Sequence, residues 1–412
     1  MINLDKPIAL DIFCGAGGMS EGFIQTGFDV LFACDINESA ELTYMNRHNQ
    51  LGYITKFARK DIREFSEKKF LKDFLEGKKI DIVCGGPPCQ GFSLAGKRDQ
   101  NDPRNMLFKH YIKTIKNVQP NYFVMENVEG ILSMQFDSFE GVTGTVYINK
   151  TVPEILIKEF FKIGYQVDYR VLQANDYGVP QYRKRVFFLG HKIKKVKGGK
   201  FKSVVASPNF PIRNVDKEIS VKEAIDDLAF LESGNSSETY NKQTKLSDYQ
   251  IKSINGRTPT VNGNPISSKI LFNHKTSSHS KNVIERFSFM KEGESLVALR
   301  ERLGPEIWKM YETKKLRCQK IRSGKPSPTV LTLPDDLVHY SKNRIMTVRE
   351  FARLQSFDDS FQFMGKRTTG GDRRKIDLPQ YSQVGNAVPP LMAKAVAMEI
   401  LKAIVITEEQ KI

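Results

Sequence analysis

Short apolar segments that close on a glycine-rich or polar turn, each followed by a helix-like pattern, recur through the first half of the chain. Ile8–Phe13 runs into the Gly-rich turn of LDIFCGAGG (Leu10–Gly18), and Val30–Cys34 ends at Asp35. Ile80–Cys84 and Tyr122–Met125 have the same form, compact and β-branched or aromatic. Helical periodicity lies between them at Met19–Gln25, Ala40–His48, Phe65–Leu75 and Leu107–Val118. Alternation of this kind predicts an α/β fold built on a doubly wound, mostly parallel sheet. Arg185–Leu189 (RVFFL) predicts one later strand near the sheet edge. After Gly190 the texture changes. Residues 191–343 are rich in Lys, Ser, Asn and Pro with many turn signals, which predicts a second, smaller, irregular domain. Helical texture returns at Thr347–Gln355 and Pro390–Ile406.

Composition narrows the function classes. The chain has 412 residues and a formal net charge of +16. Residues 191–343 hold 28 Lys and Arg against 16 Asp and Glu, so +12 of the excess lies there. Lys192–Lys202 (KIKKVKGGKFK) and Lys314–Arg322 (KKLRCQKIR) are its densest stretches. Charge alone supports a phosphate-binding face and a merely solvated basic surface equally. Cys14, Cys34, Cys84, Cys89 and Cys318 form no CxxC pair and are odd in number, which fits a reducing cytoplasm. His274 and His279 are wrongly spaced for HExxH, and no metal is expected. The N-terminus lacks the pattern of a signal peptide, and no stretch approaches the length of a membrane helix.

A strand, a Gly-rich turn and a helix, with Asp35 ending the next strand, place a nucleoside at the carboxyl ends of the strands. Asp35 would accept from ribose hydroxyls. The dinucleotide fingerprint is incomplete: from Gly15 it reaches Gly17 and then meets Ser20 where a third glycine should stand. The turn suits a ligand with adenosine and no pyrophosphate, such as S-adenosylmethionine. Asp61 would accept from an adenine amino group, although a helix N-cap is the commoner use of such a residue.

GGPPCQGFS (Gly85–Ser93) is the most informative segment. Cys89 follows a strand, so it sits at the carboxyl edge beside the cofactor turn. Pro87 and Pro88 fix φ and stiffen the turn that presents the thiol, while Gly91 and Gly96 leave the following loop free. Glu126, in YFVMENV, ends another strand. A carboxyl group enclosed near a thiolate acquires a raised pKa and can donate a proton. Thiolate addition to carbon 6 of cytosine, with N3 protonated or hydrogen-bonded, makes carbon 5 nucleophilic enough to take a methyl group. In QYRKR (Gln181–Arg185), Arg185 would hold the base oxygen and lower the thiol pKa, with Arg183 in support. Read alone, that segment is more often a surface charge run.

With these residues in view, the chain resembles the bacterial DNA cytosine-5 methyltransferases. DIFCGAGG, GGPPCQGFS, DPRNMLF, ENV, QYRKR, RIMTVREFARLQSF and QVGNAVPP stand in the family's order over most of the sequence. The resemblance implies that Cys89 is the nucleophile, that Glu126 contacts N3 and that Arg185 contacts base and backbone. It implies S-adenosylmethionine contacts at Phe13, Gly15, Gly17, Asp35, Ile36, Asp61 and Leu107. Asn386 would lie beside the methionine moiety, so residues 380–412 would return to complete the catalytic domain of residues 1–190. Residues 191–343, extending to about 379, would be the target-recognition domain. Gln90 and Ser93, on a loop from about Pro88 to Leu107, would meet double-stranded DNA. A monomer is expected, with a separately encoded restriction endonuclease as partner. Ile36 departs from an aromatic found in some relatives. Asp358 departs from a proline found in many, a difference read as one of packing only.

Two further readings differ in class. An RNA cytosine-5 methyltransferase of the same fold would carry a Cys-Phe-Thr signature and a short recognition region, and this chain has neither. A non-catalytic DNA-binding module on a retired scaffold would have lost the cysteine, the glutamate or the cofactor turn. An NAD-type oxidoreductase fails on the glycine spacing and leaves the Pro-Pro-Cys turn without a purpose.

Overall fold

The computed structural model describes residues 5–88, 106–241, 245–313, 315, 317–369 and 377–411. The first strands are β1 (Ile8–Ile12), β2 (Asp29–Asp35), β3 (Lys56–Arg59), β4 (Ile82–Gly85) and β5 (Tyr122–Asn127). They pair in parallel in the order β3-β2-β1-β4-β5. A two-stranded antiparallel hairpin follows, β6 (Gln135–Glu140) with β7 (Val146–Thr151). The sheet is then completed by β8 (Tyr165–Gln173), β9 (Lys184–Lys195) and β10 (Phe201–Ser203). β9 is antiparallel to β5, and β8 and β10 are each antiparallel to β9. The strand expected at Arg185–Leu189 is therefore the amino-terminal half of a 12-residue strand, with β8 beyond it. The sheet also continues past Gly190, where the sequence texture changes.

Alternation along the strands explains the layers, since both faces of a covered sheet must be apolar. Leu10, Ile12, Val83, Phe123 and Met125 meet Phe65, Phe74, Phe108, Ile112 and Phe160 from the helices on one side. Ala9, Val30, Ile82 and Val124 meet Phe23, Ile24, Met392, Val396 and Ile400 on the other. The helix Pro390–Glu409 thus packs on the first part of the chain, against the helix Gly18–Ile24. Gly22 permits the approach: a Cβ there would lie 2.5 Å from Ala393 Cβ.

A further core gathers Val221, Tyr249, Val330, Phe351, Phe357, Phe361 and Tyr381. Around it runs a set of buried ion pairs. Arg353 bonds Asp227 and Asp359, and Arg344 bonds Glu350. Asp358 corrects the packing-only expectation. Its carboxylate is 1% exposed and accepts from the Arg257 and Thr258 backbone N–H groups at 2.6 and 3.0 Å and from the Arg257 guanidinium at 2.9 Å. Arg47, itself paired with Glu21 in the helix Gly18–Ile24, stands 3.7 Å away. A proline could accept none of these bonds. No described helix is long and apolar enough to cross a membrane.

Candidate functional site

The glycine-rich turn after β1 is a run of unusual backbone. Phe13, Gly15 and Gly17 have φ of +56°, +52° and +94°. Left-handed φ is rare for a phenylalanine and routine for glycine, so the two glycines let the chain reverse sharply between β1 and the helix. At Gly17 a side chain is excluded twice over, because a Cβ would also lie 3.0 Å from the Tyr44 ring. Asp35, at the end of β2, fixes this turn. Its two oxygens accept from the Gly15 and Asn37 N–H groups, each at 2.9 Å. Burial raises the Asp35 pKa, and these backbone donors pull it back. Each oxygen keeps a lone pair for a hydroxyl donor. Ile36 is 65% exposed beside it, an uncovered aliphatic surface. Phe13 and Leu107 are half-buried at the edge of the core. One carboxylate with free acceptor sites and one exposed apolar side chain at the carboxyl ends of the strands fit a nucleoside.

Asp61 takes the role that competed with adenine binding. It caps the helix Ile62–Phe65, accepting from Arg63 N–H at 2.8 Å, and pairs with the Arg63 guanidinium at 2.6 Å. Arg63 holds its carboxyl below the usual range. The cap does not exhaust the acceptor sites of the carboxylate. Asn386, exposed, ends the helix Gln380–Asn386. The chain just beyond it closes on the cofactor helix: a Cβ on Gly18 would lie 2.2 Å from the Val388 carbonyl oxygen. The structure therefore brings the glycine turn and the segment after Asn386 together.

Cys89, Gln90 and Ser93 lie outside the described residues, but the approach to Cys89 is fixed. The Pro87 carbonyl accepts from the buried Asn127 side chain at 3.0 Å. Gly86 lies against Glu126, where a Cβ would be 2.8 Å from Oε2. The Glu126 carboxylate is 2.8 Å from Arg185 Nε. β5 and β9 make this pairing possible because Glu126 stands opposite Phe187, two residues from Arg185. Burial pushes the Glu126 pKa up, with Arg185 and Arg183 opposing. The four described cysteines are free and buried, and burial raises their thiol pKa values, that of Cys318 to about 12.

QYRKR alternates between the interior and the surface: Gln181 and Arg183 are buried, whereas Tyr182 and Lys184 are exposed. Arg183 is 1% exposed and donates to the carbonyls of Val330, Gly385 and Ala387. It holds the QVGNAVPP segment against the sheet. Gln181 donates to Gln355 Oε1 at 2.9 Å, and Gln355 donates in turn to the Val384 carbonyl at 2.7 Å. Sequence reasoning passed over Asn127 and Gly86. It also passed over Asp11, which accepts from Ser20 at 2.6 Å beneath the cofactor turn. Their only signal was polarity or smallness within otherwise apolar strand ends.

The chain matches the family model described as C-5 cytosine-specific DNA methylase over residues 9–402. It is 35% identical to the type II methyltransferase M.DdeI of Desulfomicrobium norvegicum, over 95% of this chain and 88% of that one. It is 34% identical to M1.HphI of Haemophilus parahaemolyticus, over 95% and 86%. Among solved structures, an E. coli prophage-encoded candidate DNA modification methyltransferase superposes with a TM-score of 0.70 at 24% identity, covering 97% of this chain and all of that one. That likeness concerns the fold, and its mostly parallel sheet is the one described above. With the family matched along nearly the whole chain, the protein belongs to the C-5 cytosine-specific DNA methylases and is a DNA cytosine-5 methyltransferase.

Proposed function

We propose that the enzyme methylates a cytosine extruded from duplex DNA, with Cys89 as nucleophile. Extrusion costs a few kcal/mol of stacking and pairing, offset by phosphate contacts in a basic cleft. The Cys89 thiolate adds to carbon 6, opening the 5,6 double bond, while the Glu126 carboxyl shares or gives its proton to N3. Arg185 holds the base oxygen and orients Glu126. Phe13, Gly15, Gly17, Asp35, Ile36, Asp61, Leu107 and Asn386 would hold S-adenosylmethionine, which would supply an electrophilic methyl group to carbon 5 and leave as S-adenosylhomocysteine. A solvent base then takes the carbon 5 proton, the carbon 6–sulfur bond breaks to return the Cys89 thiolate, and N3 gives its proton back to Glu126, which restores the ring. Gln90 and Ser93 face the DNA, and side chains within residues 191–343, beyond the β9–β10 hairpin that completes the sheet and with support to about 379, read the sequence in the major groove. Residues 1–190 with 380–412 form the catalytic domain. The enzyme works as a monomer and protects DNA from a separately encoded endonuclease, in keeping with the type II names of its relatives.

One observation carries this reading: the Glu126–Arg185 pair lies against Gly86, three residues before Cys89, at the edge of the sheet that also bears the glycine turn. The test is a duplex carrying 5-fluorocytosine, whose carbon 5 has no proton to lose. Wild-type enzyme should form a denaturation-resistant adduct. Cys89→Ser should bind DNA, form no adduct and incorporate no methyl groups. Methyl incorporation by Cys89→Ser near the wild-type rate would overturn the proposal.

A further inference from the structure

One of the two densest basic stretches after Gly190, Lys192–Lys202, lies at the wrong end of the sheet to serve the cytosine. Antiparallel pairing puts Phe187 opposite Glu126 and His191 opposite Tyr122, at the start of β5. β9 then runs on to Lys195, so the hairpin stands at the amino ends of the parallel strands. Seven residues separate Phe187 from Lys194, about 23 Å at strand rise. A duplex seated at the carboxyl edge does not meet these lysines.

The hairpin concentrates charge without neutralising it. Lys194, Lys195, Lys197, Lys200 and Lys202 are exposed, and none has a carboxylate within ion-pair distance among the described residues. Lys194 stands directly opposite Lys202 across the strands, an arrangement that disfavours the hairpin. The period of two puts Lys192 on the same face, where its ammonium group donates to the Gln119 carbonyl. Beside the lysines, Phe201 and Phe161 form an exposed ring pair with centroids 4.6 Å apart. Uncompensated like charges on a two-stranded ribbon are relieved by a polyanion, whose bound counterions are released in exchange. An enzyme engaged on DNA has other segments of that polymer at high effective concentration around it.

We propose that the Lys192–Lys202 hairpin is a second DNA-binding face, which holds a non-target stretch of duplex by its phosphates while the carboxyl edge engages the substrate. The face gives the enzyme a bridge between two segments of DNA. Only the separateness of the two faces rests on the proposed methylation site.

Bridging tests this directly. Beads carrying an A·T-only duplex, which contains no cytosine, are mixed with enzyme and a fluorescent A·T-only duplex. Wild-type enzyme should retain the fluorescent duplex. With three lysines on phosphates, the hairpin contact alone should weaken about 40-fold between 50 and 200 mM salt, at a slope of about −0.9 per phosphate, so retention should fall by at least that much. The variant Lys194→Gln/Lys195→Gln/Lys197→Gln/Lys200→Gln/Lys202→Gln should lose bridging at least about tenfold while methylating genomic DNA at the wild-type rate. The corresponding five-arginine variant should bridge, which separates charge from folding. Bridging that survives in the glutamine variant would overturn the proposal, as would wild-type enzyme that binds phosphatidylserine vesicles through the hairpin and never bridges duplexes. Failure of the 5-fluorocytosine adduct would leave this result unaffected.

Discussion

Replacing Gly86 by alanine perturbs Glu126 without touching any charge. The added Cβ would lie 2.8 Å from Glu126 Oε2, whereas ordinary contact begins at 3.4 Å, so the carboxylate must retreat by about 0.6 Å. It cannot do so freely, because its other oxygen is 2.8 Å from Arg185 Nε. A misplacement of about 1 Å costs on the order of 100-fold in rate, so a shift of this size should lower kcat about tenfold, or about 1.4 kcal/mol in the barrier. Stability should hardly change. Gly86 is not in the left-handed region, and alanine there gains about 0.4–1 kcal/mol by restricting the unfolded chain, which offsets part of the contact. The assay is tritiated methyl transfer to duplex DNA, with kcat and KM separated, beside a thermal melt. Tm should stay within about 2 °C. Glu126→Asp, whose shorter side chain relieves the contact, supplies the second arm. Gly86→Ala should cost much less in that background than alone, since the two changes act on one contact. Additive losses, or an unchanged kcat in a folded Gly86→Ala enzyme, would refute the reasoning.

The remaining expectations concern groups around the site. Asn127→Ala leaves the Pro87 carbonyl buried without its donor, so stability should fall by about 1–3 kcal/mol and kcat should fall more than DNA affinity. Equal losses in both, measured by single-turnover methylation and DNA titration, would count against a role in positioning the Cys89 turn. Asp358→Ala removes the acceptor shared by Arg257 and Thr258 and leaves Arg47 and Arg257 less compensated. Unfolding in urea should report a loss of about 3–5 kcal/mol, and a loss under 1 kcal/mol would contradict the hub. Burial raises the Asp11 pKa to about 7 from an ordinary 3.8. The folded value lies above the unfolded one, so stability is full below about pH 4 and declines as pH rises towards 7, by about 4 kcal/mol. Asp11→Asn has no such penalty, and its oxygen can still accept from Ser20. Its Tm relative to wild type should therefore rise from pH 5 to pH 8, and parallel curves would exclude the assignment.

The parallel strands were legible because buried strands of an α/β sheet are short, apolar and bounded by turns. Tyr122–Met125 was read against an observed Tyr122–Asn127, and Val30–Cys34 against Asp29–Asp35. The helix Leu107–Val118 was read to the residue. β8 was missed because only Tyr165 and Leu172 among its nine residues are buried, so the segment reads as polar. β3, four residues with one buried, has the same weakness. Phe65–Leu75, expected as one helix, ends at Phe65 and resumes at Lys68. At the site, Glu126, Arg185 and Asp35 stand where local chemistry announces itself, at strand ends with charged or glycine neighbours. Gly86 and Asn127 were silent because their roles consist of distances to residues remote in the chain.

The sequence by itself determined the mostly parallel α/β class, four of the five parallel strands, the glycine turn, the candidate acid and nucleophile, and the family. Period, turn chemistry and motif order are local properties that survive without coordinates. Only tertiary structure decided where charge lies. It buried Arg183 and Asp358 as fastenings between distant segments, and it carried a lysine-rich hairpin to the far end of β9. Electrostatic energy depends on separation and on the dielectric around each group, and neither exists until the chain has packed.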